Sequence, residues 1–428
     1  MRYYGELHLL QQLLPGCTQL RYLEVARYGE EVKQLLQQNA TSLHTFICKT
    51  DPLFQSKREP VVIDKVWHLL KEIPTLRVLE LESVIVSDYE GRMFGTVCQK
   101  LTRLSLVDSK LLERPKSERD LDSLRTLILD RSYVPNEDQL QLFQLCPVLE
   151  HLTWKSRTGS LQILNFLFFL NSGKFQRVTS LDISNSSKTT DHDFAKIISL
   201  LPGLINLNAA NTLFGYEGTR AMIELKRDQI QELNFLDCPN ITSMVAHTFL
   251  SSCPRLRKFA ASSVSAVDVV RQHWVCLELQ ELDISIANME QLPGPPFPRH
   301  KGIYDQLAAL TKLVVLRLGD LGCASSSTSV GTPAPRNQQF MLDLKLDSGL
   351  GLLSTLNRLR ELDVTNMYAV MEFGELQWVV RNWRRLERVI GSVHPNPPQR
   401  DLSNEFLRDQ LPGLKTFSSR KEAWLSEV

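Results

Sequence analysis

Apolar residues recur along the chain in one short figure: an apolar residue, a second three places on, and a third two places after that. Ile230, Leu233 and Phe235 show it, and Leu256 starts it again 26 positions after Ile230. Between Gln231 and Phe235 apolar and polar residues alternate. Leu233 and Phe235 therefore face one way and Glu232 and Asn234 the other, as in a half-buried strand. From Ser243 to Ser251 the period becomes helical. Met244, Val245, Thr248 and Phe249 fall on one side, Thr242 stands in the N-cap place, and Pro254 stops the helix. A unit this short cannot bury its apolar side alone; it needs a copy on either side.

Copies run from end to end. The figure appears at Leu20, Leu23 and Val25; at Leu43, Phe46 and Cys48; at Leu76, Leu79 and Leu81; and at Leu101, Leu104 and Leu106. It continues through Leu124, Leu149, Val178, Leu204, Leu256, Leu279, Leu313 and Leu359, and weakens at Leu386 and Leu414. Most starts lie about 23 to 29 residues apart, the spacing of leucine-rich repeats. The predicted fold is α/β: a leucine-rich-repeat solenoid, a horseshoe with parallel strands on the concave face and helices on the convex face. It forms one domain over residues 1–428, with about fifteen repeats. Insertions are expected near 50–60, 287–303 and 320–340. In 291–302 the prolines of LPGPPFPRHKG argue against a regular helix, and in 320–340 a Ser/Thr/Gly/Pro composition predicts a loop. Tyr4 to Leu14 reads as a helix inside a repeat. The tail over 418–428 is expected to fold back as a cap through Ala423, Trp424 and Leu425.

Composition narrows the function classes. At 43% hydrophobic and 23% charged, the 428-residue chain is an ordinary globular protein. A formal net charge of +1 gives no global attraction to nucleic acid or acidic lipid. No apolar stretch is long enough to span a membrane, and the N-terminus lacks the features of a signal peptide. Cys17, Cys98, Cys146, Cys253 and Cys276 each stand three residues before a strand-leading leucine, which makes them one structural position used five times. Cys48 ends a strand and Cys238 follows one. No Cys-x-x-Cys pair exists, so neither zinc nor redox chemistry is indicated. Free thiols without a signal peptide point to a reducing compartment, cytoplasmic or nuclear.

The residues between the inward apolar positions define the exposed strand face. In the middle repeats these are Asp182, Asn206, Asn208, Glu232, Asn234, Glu281 and Asp283, an acidic and amide-bearing set interrupted by Lys258. They are the candidate partner-binding residues, suited to a protein with basic and hydrogen-bonding groups. Catalytic signals are missing: there is no phosphate-binding glycine loop, no nucleophile elbow and no His-Glu-x-x-His. The reading is therefore a non-enzyme without cofactor or metal. His192, between Asp191 and Asp193, is better explained by a helix N-terminus with acidic first-turn residues than by a metal site. His273 is read as packing beside Trp274. Arg381, Arg384, Arg385 and Arg388 are read as one helix whose Trp378 and Trp383 side is buried, in preference to a nucleic-acid surface.

Four blocks carry a resemblance: HWVCLELQELDI from His273, YDQLAALTKLVVLRLG from Tyr304, LDLKLDSGLGLLSTLNRLRELDV from Leu342 and ELQWVVRNWRRLERVIG from Glu375. In order and wording they resemble the fungal F-box and ribonuclease-inhibitor-like leucine-rich-repeat proteins, over the C-terminal third. The resemblance implies repeats that hold a protein substrate for a ubiquitin ligase, with an F-box binding the Skp1 adaptor of a cullin complex. Here the first strand already arrives at Leu20, so adaptor binding is carried over to no residue. The expected role is a non-catalytic recognition scaffold, the substrate-recognition region of an F-box-type receptor. The alternative is a stand-alone repeat protein that inhibits or scaffolds an enzyme. A GTPase-activating horseshoe finds no residue to support it.

Overall fold

One residue per repeat stacks directly on its counterpart in the next. Leu23, Phe46, Leu79, Leu104, Leu127, Leu152 and Leu181 are successive partners across parallel strand pairs. Each is buried to 2% exposure or less. Leu207, Leu233, Phe259, Leu282, Leu316, Leu362 and Val389 form a second such column. Burying one such side chain contributes roughly 1.5–3 kcal/mol, and only a stacked neighbour can bury it. The structure, a computed structural model, describes residues 2–3, 16–26, 28–49, 61–64, 66–87, 92–111, 117, 119–134, 136–156, 161, 163–319, 342–365, 367, 369–417 and 419–420. Contacts cluster into two compact units: Met1–Thr189 with Lys196–Leu204, and Thr190–Ala195 with Ile205–Val428.

Each unit is an α/β leucine-rich-repeat solenoid with its strands all parallel. In the first unit the strands include Tyr22–Val25, Thr45–Lys49, Val78–Glu82, Arg103–Val107, Thr126–Asp130, His151–Lys155 and Ser180–Asp182, paired in that order. In the second they are Asn206–Asn208, Glu232–Phe235, Lys258–Ser265, Glu281–Ala287, Val315–Arg317, Glu361–Asp363, Arg388–Ile390 and Lys415–Phe417. The residue just before each strand ties one repeat to the next. Its carbonyl accepts two N–H groups: the Arg21 carbonyl from His44 and Thr45, the His44 carbonyl from Arg77 and Val78, the Arg257 carbonyl from Gln280 and Glu281. After the strand the chain turns through a left-handed residue. Asp108, Asn185, Asn211, Asp237 and Asn288 hold φ between 46° and 62° there, a conformation that Asn and Asp adopt at lower cost than other side chains.

Most of the predicted strands stand where the spacing places them, and so does the helix Ser243–Ser252, whose N-cap Thr242 accepts from the Val245 N–H. Its buried side differs from the expected one. Val245, Ala246, Phe249 and Leu250 are buried, while Met244 is 60% exposed. The prediction for 291–302 is corrected. Pro296–Ala308 is a regular helix with proline in its first turn, where N–H groups have no intrahelical acceptor and a missing donor costs nothing. That helix anchors the segment beyond it. The Asp343 N–H donates to His300 Nδ1 at 3.2 Å, and the Tyr304 hydroxyl donates to the Asp343 carbonyl. Burial holds the His300 imidazole below its ordinary pKa, in keeping with a neutral ring whose nitrogen accepts. His273 is exposed rather than packed; Trp274 takes the buried place. A small second sheet, Val61–Asp64, Val84–Ser87 and Lys110–Leu111, was not anticipated. The runs VVID and VIVS are rich in β-branched residues and were its signal. The expected helix over Tyr4 to Leu14, the insertions at 50–60 and 320–340, and the cap residues Ala423, Trp424 and Leu425 lie outside the described residues.

The thiols are structural. Cys98, Cys146, Cys253 and Cys276 are buried at their common repeat position, Cys48 and Cys238 are buried, and Cys17 is half-buried; all seven are free. Burial pushes Cys48, Cys146, Cys253 and Cys276 up to about 12, which keeps them protonated and inert at neutral pH.

Asp191 shows how neighbouring helices are joined. Its carboxylate accepts from the N–H groups of Gly215 at 2.8 Å, Glu217 at 2.7 Å and Gly218 at 2.8 Å. These are orphan donors at the start of the helix Tyr216–Lys226, whose own N-cap Gly215 offers no side chain. Both oxygens are committed to backbone. Among the described residues no group of three or more His, Cys, Asp or Glu could hold a metal. Asp191→Ala should therefore lower stability by about 1–2 kcal/mol, while His192→Ala, at an exposed contact with Glu217, should change it by less than about 0.5 kcal/mol. Urea-unfolding midpoints of the two variants check this; equal effects would remove Asp191 from the joint.

Candidate functional site

Strand register arranges the outward residues of the second unit into two rows. One row runs Asn206, Glu232, Lys258, Glu281, Val315, Glu361, Arg388 and Lys415. The other runs Asn208, Asn234, Ala260, Asp283, Arg317, Asp363, Ile390 and Phe417. Neighbouring strands lie about 4.8 Å apart, so each outward side chain reaches its neighbour in the row. Six of the seven candidate residues share this face. The seventh, Asp182, belongs to the strand face of the first unit.

The face is not an uncompensated acidic patch. Lys258 Nζ lies 3.6 Å from Glu232 and 3.2 Å from Glu281. In the first unit Lys155 lies 3.1 Å from Asp182 and 3.5 Å from Asp130. Repeats that alternate acids with bases along a row neutralise one another, because strand spacing is also ion-pair spacing. The strongest cluster sits at Glu361, which is almost wholly buried. One of its oxygens accepts from Arg317 Nε at 2.6 Å, and the other lies 2.7 Å from Arg388 Nη2. Glu361 and Asp363 follow the repeat pattern of RLRELDV, so their place on the face was legible. Arg388 was expected on a helix with Arg381, Arg384 and Arg385. The helix ends at Asn382, and Arg388 instead opens a strand. Trp383 is buried, its indole N–H donating to the Leu353 carbonyl at 3.2 Å; Trp378 is half-buried and packs edge-on against it at 5.1 Å.

Several residues of the strand faces also hold the backbone. Asp182 accepts from the Ser184 N–H at 3.0 Å, Asn208 from Ala210 at 3.2 Å, Asn234 from Leu236 at 3.1 Å and Asp363 from Thr365 at 2.7 Å. Each secures the turn after its strand, an Asx motif repeated from repeat to repeat. Asp283 is different. Its strand continues to Ala287 through a register shift against Lys258–Ser265, so there is no turn at that point to secure. Its two oxygens instead accept from Arg420, at 2.9 and 3.0 Å. Burial pushes the Asp283 carboxyl above its ordinary pKa, against the pull of Arg420 and Arg317. Arg420 was not foreseen; nothing in the periodic pattern marks a residue that lies beyond the last strand.

A basic groove of about 620 Å³ opens on the loops that lead into these strands, lined by Arg358, Arg360, Arg384 and Arg385 with Asn357, Asn382 and Val314. Arg360 is paired with Glu387 at 3.4 Å. Compared with protein-family models and with curated proteins, the chain shows no match to either. No helix among the described residues is long and apolar enough to cross a membrane.

Glu361 holds two arginines from two neighbouring strands, so removing it leaves both without their shared acceptor. Glu361→Ala should cost about 1–3 kcal/mol, whereas Glu232→Ala, half-exposed and 3.6 Å from its lysine, should cost less than about 1 kcal/mol. Chemical denaturation of both variants decides it. A larger loss from Glu232→Ala would contradict the assignment of Glu361 as the centre of the network.

Proposed function

We propose that the protein is a non-catalytic scaffold that recognises another protein through the outward strand face of its second unit. One observation carries the reading: two registered rows of charged and amide side chains stand on one parallel sheet. Asn206, Glu232, Lys258 and Glu281 are adjacent in one row and Asn208, Asn234 and Asp283 mark the other. An array of both signs suits a partner of complementary pattern, and favours specificity and orientation over raw affinity. Ion pairs already formed on the face pre-order its side chains, which lowers the cost of holding them at an interface.

The finer assignment is the substrate-holding region of an F-box-type ubiquitin ligase receptor. Its support is the resemblance of the blocks beginning at His273, Tyr304, Leu342 and Glu375, and no residue is given an adaptor-binding role. The partner is then a protein substrate, and the complex contains Skp1 and a cullin.

Photo-crosslinking tests the reading with position as its readout. A photoreactive residue placed at Glu232 or Glu281 should give a discrete protein adduct. The same residue at Arg220 or Glu224, exposed on the helix Tyr216–Lys226, should give at least tenfold less. Equal labelling from both sides would contradict it. Skp1 and a cullin co-purifying with the adduct would support the ubiquitin-ligase assignment, and an adduct without them would favour the stand-alone scaffold.

A further inference from the structure

Arg420 follows the strand Lys415–Phe417 by three residues, yet it does not interact with that strand's neighbours in order. Its Nε donates to Asp363, two strands back, and its two terminal nitrogens donate to Asp283, four strands back, at 2.9 and 3.0 Å. Nη2 also reaches the Gly319 carbonyl at 3.3 Å. The guanidinium is thus held by a two-pronged contact to one carboxylate, a single contact to a second, and a backbone oxygen. That is the fork geometry only arginine presents. The Asp363 side chain is wholly buried, and those of Asp283 and Arg420 are 11% and 17% exposed.

The site is built into the fold rather than made by the tail. Asp283 is free to bind because its strand runs on past it. Asp363 keeps one oxygen on the Thr365 N–H and turns the other outward. Gly319 is required there: a Cβ would lie 2.5 Å from the Thr365 carbonyl oxygen and 3.0 Å from Asp363 Oδ1, so a side chain would push these strands apart. Two buried carboxylates facing one another without a cation are costly, and Arg317, 3.8 Å from Asp283, is already engaged by Glu361 at 2.6 Å.

We propose that Asp283, Asp363 and the Gly319 carbonyl form a socket for an arginine side chain, that Arg420 fills it in the unbound protein, and that an arginine on a peptide segment of a protein partner competes for it. The socket lies in the second row of the outward face, so the proposal rests on the reading of that face as a recognition surface. The C-terminal segment then acts as a tethered competitor. A short tether gives Arg420 an effective concentration on the order of millimolar, which a partner must overcome with further contacts along the rows. Lysine is a poor substitute, since a point-like ammonium cannot reproduce the planar two-pronged contact to Asp283 while also reaching Asp363.

The test uses the full-length chain and two labelled hexapeptides: residues 418–423 of this protein, and the same peptide with lysine replacing its arginine. Fluorescence anisotropy should show that Arg420→Ala protein binds the arginine peptide at least tenfold more tightly than the intact chain does. The lysine peptide should bind at least tenfold more weakly than the arginine peptide. Adding Asp283→Asn to Arg420→Ala should abolish the gain; Asp363→Asn, which retains an acceptor for the Thr365 N–H, provides a second variant should the first fail to fold. Equal affinity for intact and Arg420→Ala protein, equal binding of the two peptides, or binding by neither protein would overturn the socket. These outcomes are independent of any cellular partner. A functioning socket with no position-dependent crosslinking would sustain the socket and sink the recognition reading, and the reverse result would do the opposite.

Discussion

A shared backbone carbonyl ties one repeat to the next at the point where the chain enters the sheet. At the residue just before the strand, that oxygen accepts the first two N–H groups of the following strand region, at 2.7–3.3 Å from Ile205 to Arg360 in the second unit; at Glu387 it accepts one, from Lys415. The arrangement satisfies both donors where the chain enters the sheet. It also sets the register. Once Gln231 and Glu232 share the Ile205 carbonyl, Leu233 must lie over Leu207, and the apolar column follows without further choice. Slipping by one residue would turn every leucine of the column to the outward face.

The same constraint makes the outward face. Register that stacks leucines inside also stacks the intervening side chains outside, in rows about 4.8 Å apart. At that spacing a lysine between two glutamates meets both, as Lys258 does, and a glutamate between two arginines meets both, as Glu361 does. Charge pairing on the face is therefore a consequence of repetition. What departs from repetition is more informative about binding. Asp283 lies where a strand runs on instead of turning, Gly319 lies where two backbones come within a side chain's width, and Arg420 arrives from outside the ladder.

The repeats were legible because their signal is local and periodic. Leu79, Leu104 and Leu127 declare themselves by spacing alone. The outward residues followed from alternation, including Glu361 and Asp363. Sequence reading erred where one residue type has two uses. Prolines near 296 suggest a broken helix by composition, because their place in the first turn of Pro296–Ala308 depends on where the helix starts. Helical spacing alone leaves the direction of the buried stripe unset, and Met244 lies outside it. Ion pairing was underestimated because Asp182 and Lys155 are 27 residues apart in sequence yet lie on adjacent strands. Arg420 was unreadable because its partners are fixed by how the chain crosses the sheet, which no period encodes.

Hydrogen exchange resolved to short peptides tests the central claim most directly. If shared carbonyls bind repeat to repeat, the amides of Gln231, Glu232, Arg257, Lys258, Gln280 and Glu281 should be protected to a common degree and released together as denaturant is raised. Rapid exchange at these pairs under native conditions, with protection confined to the helices, would contradict it.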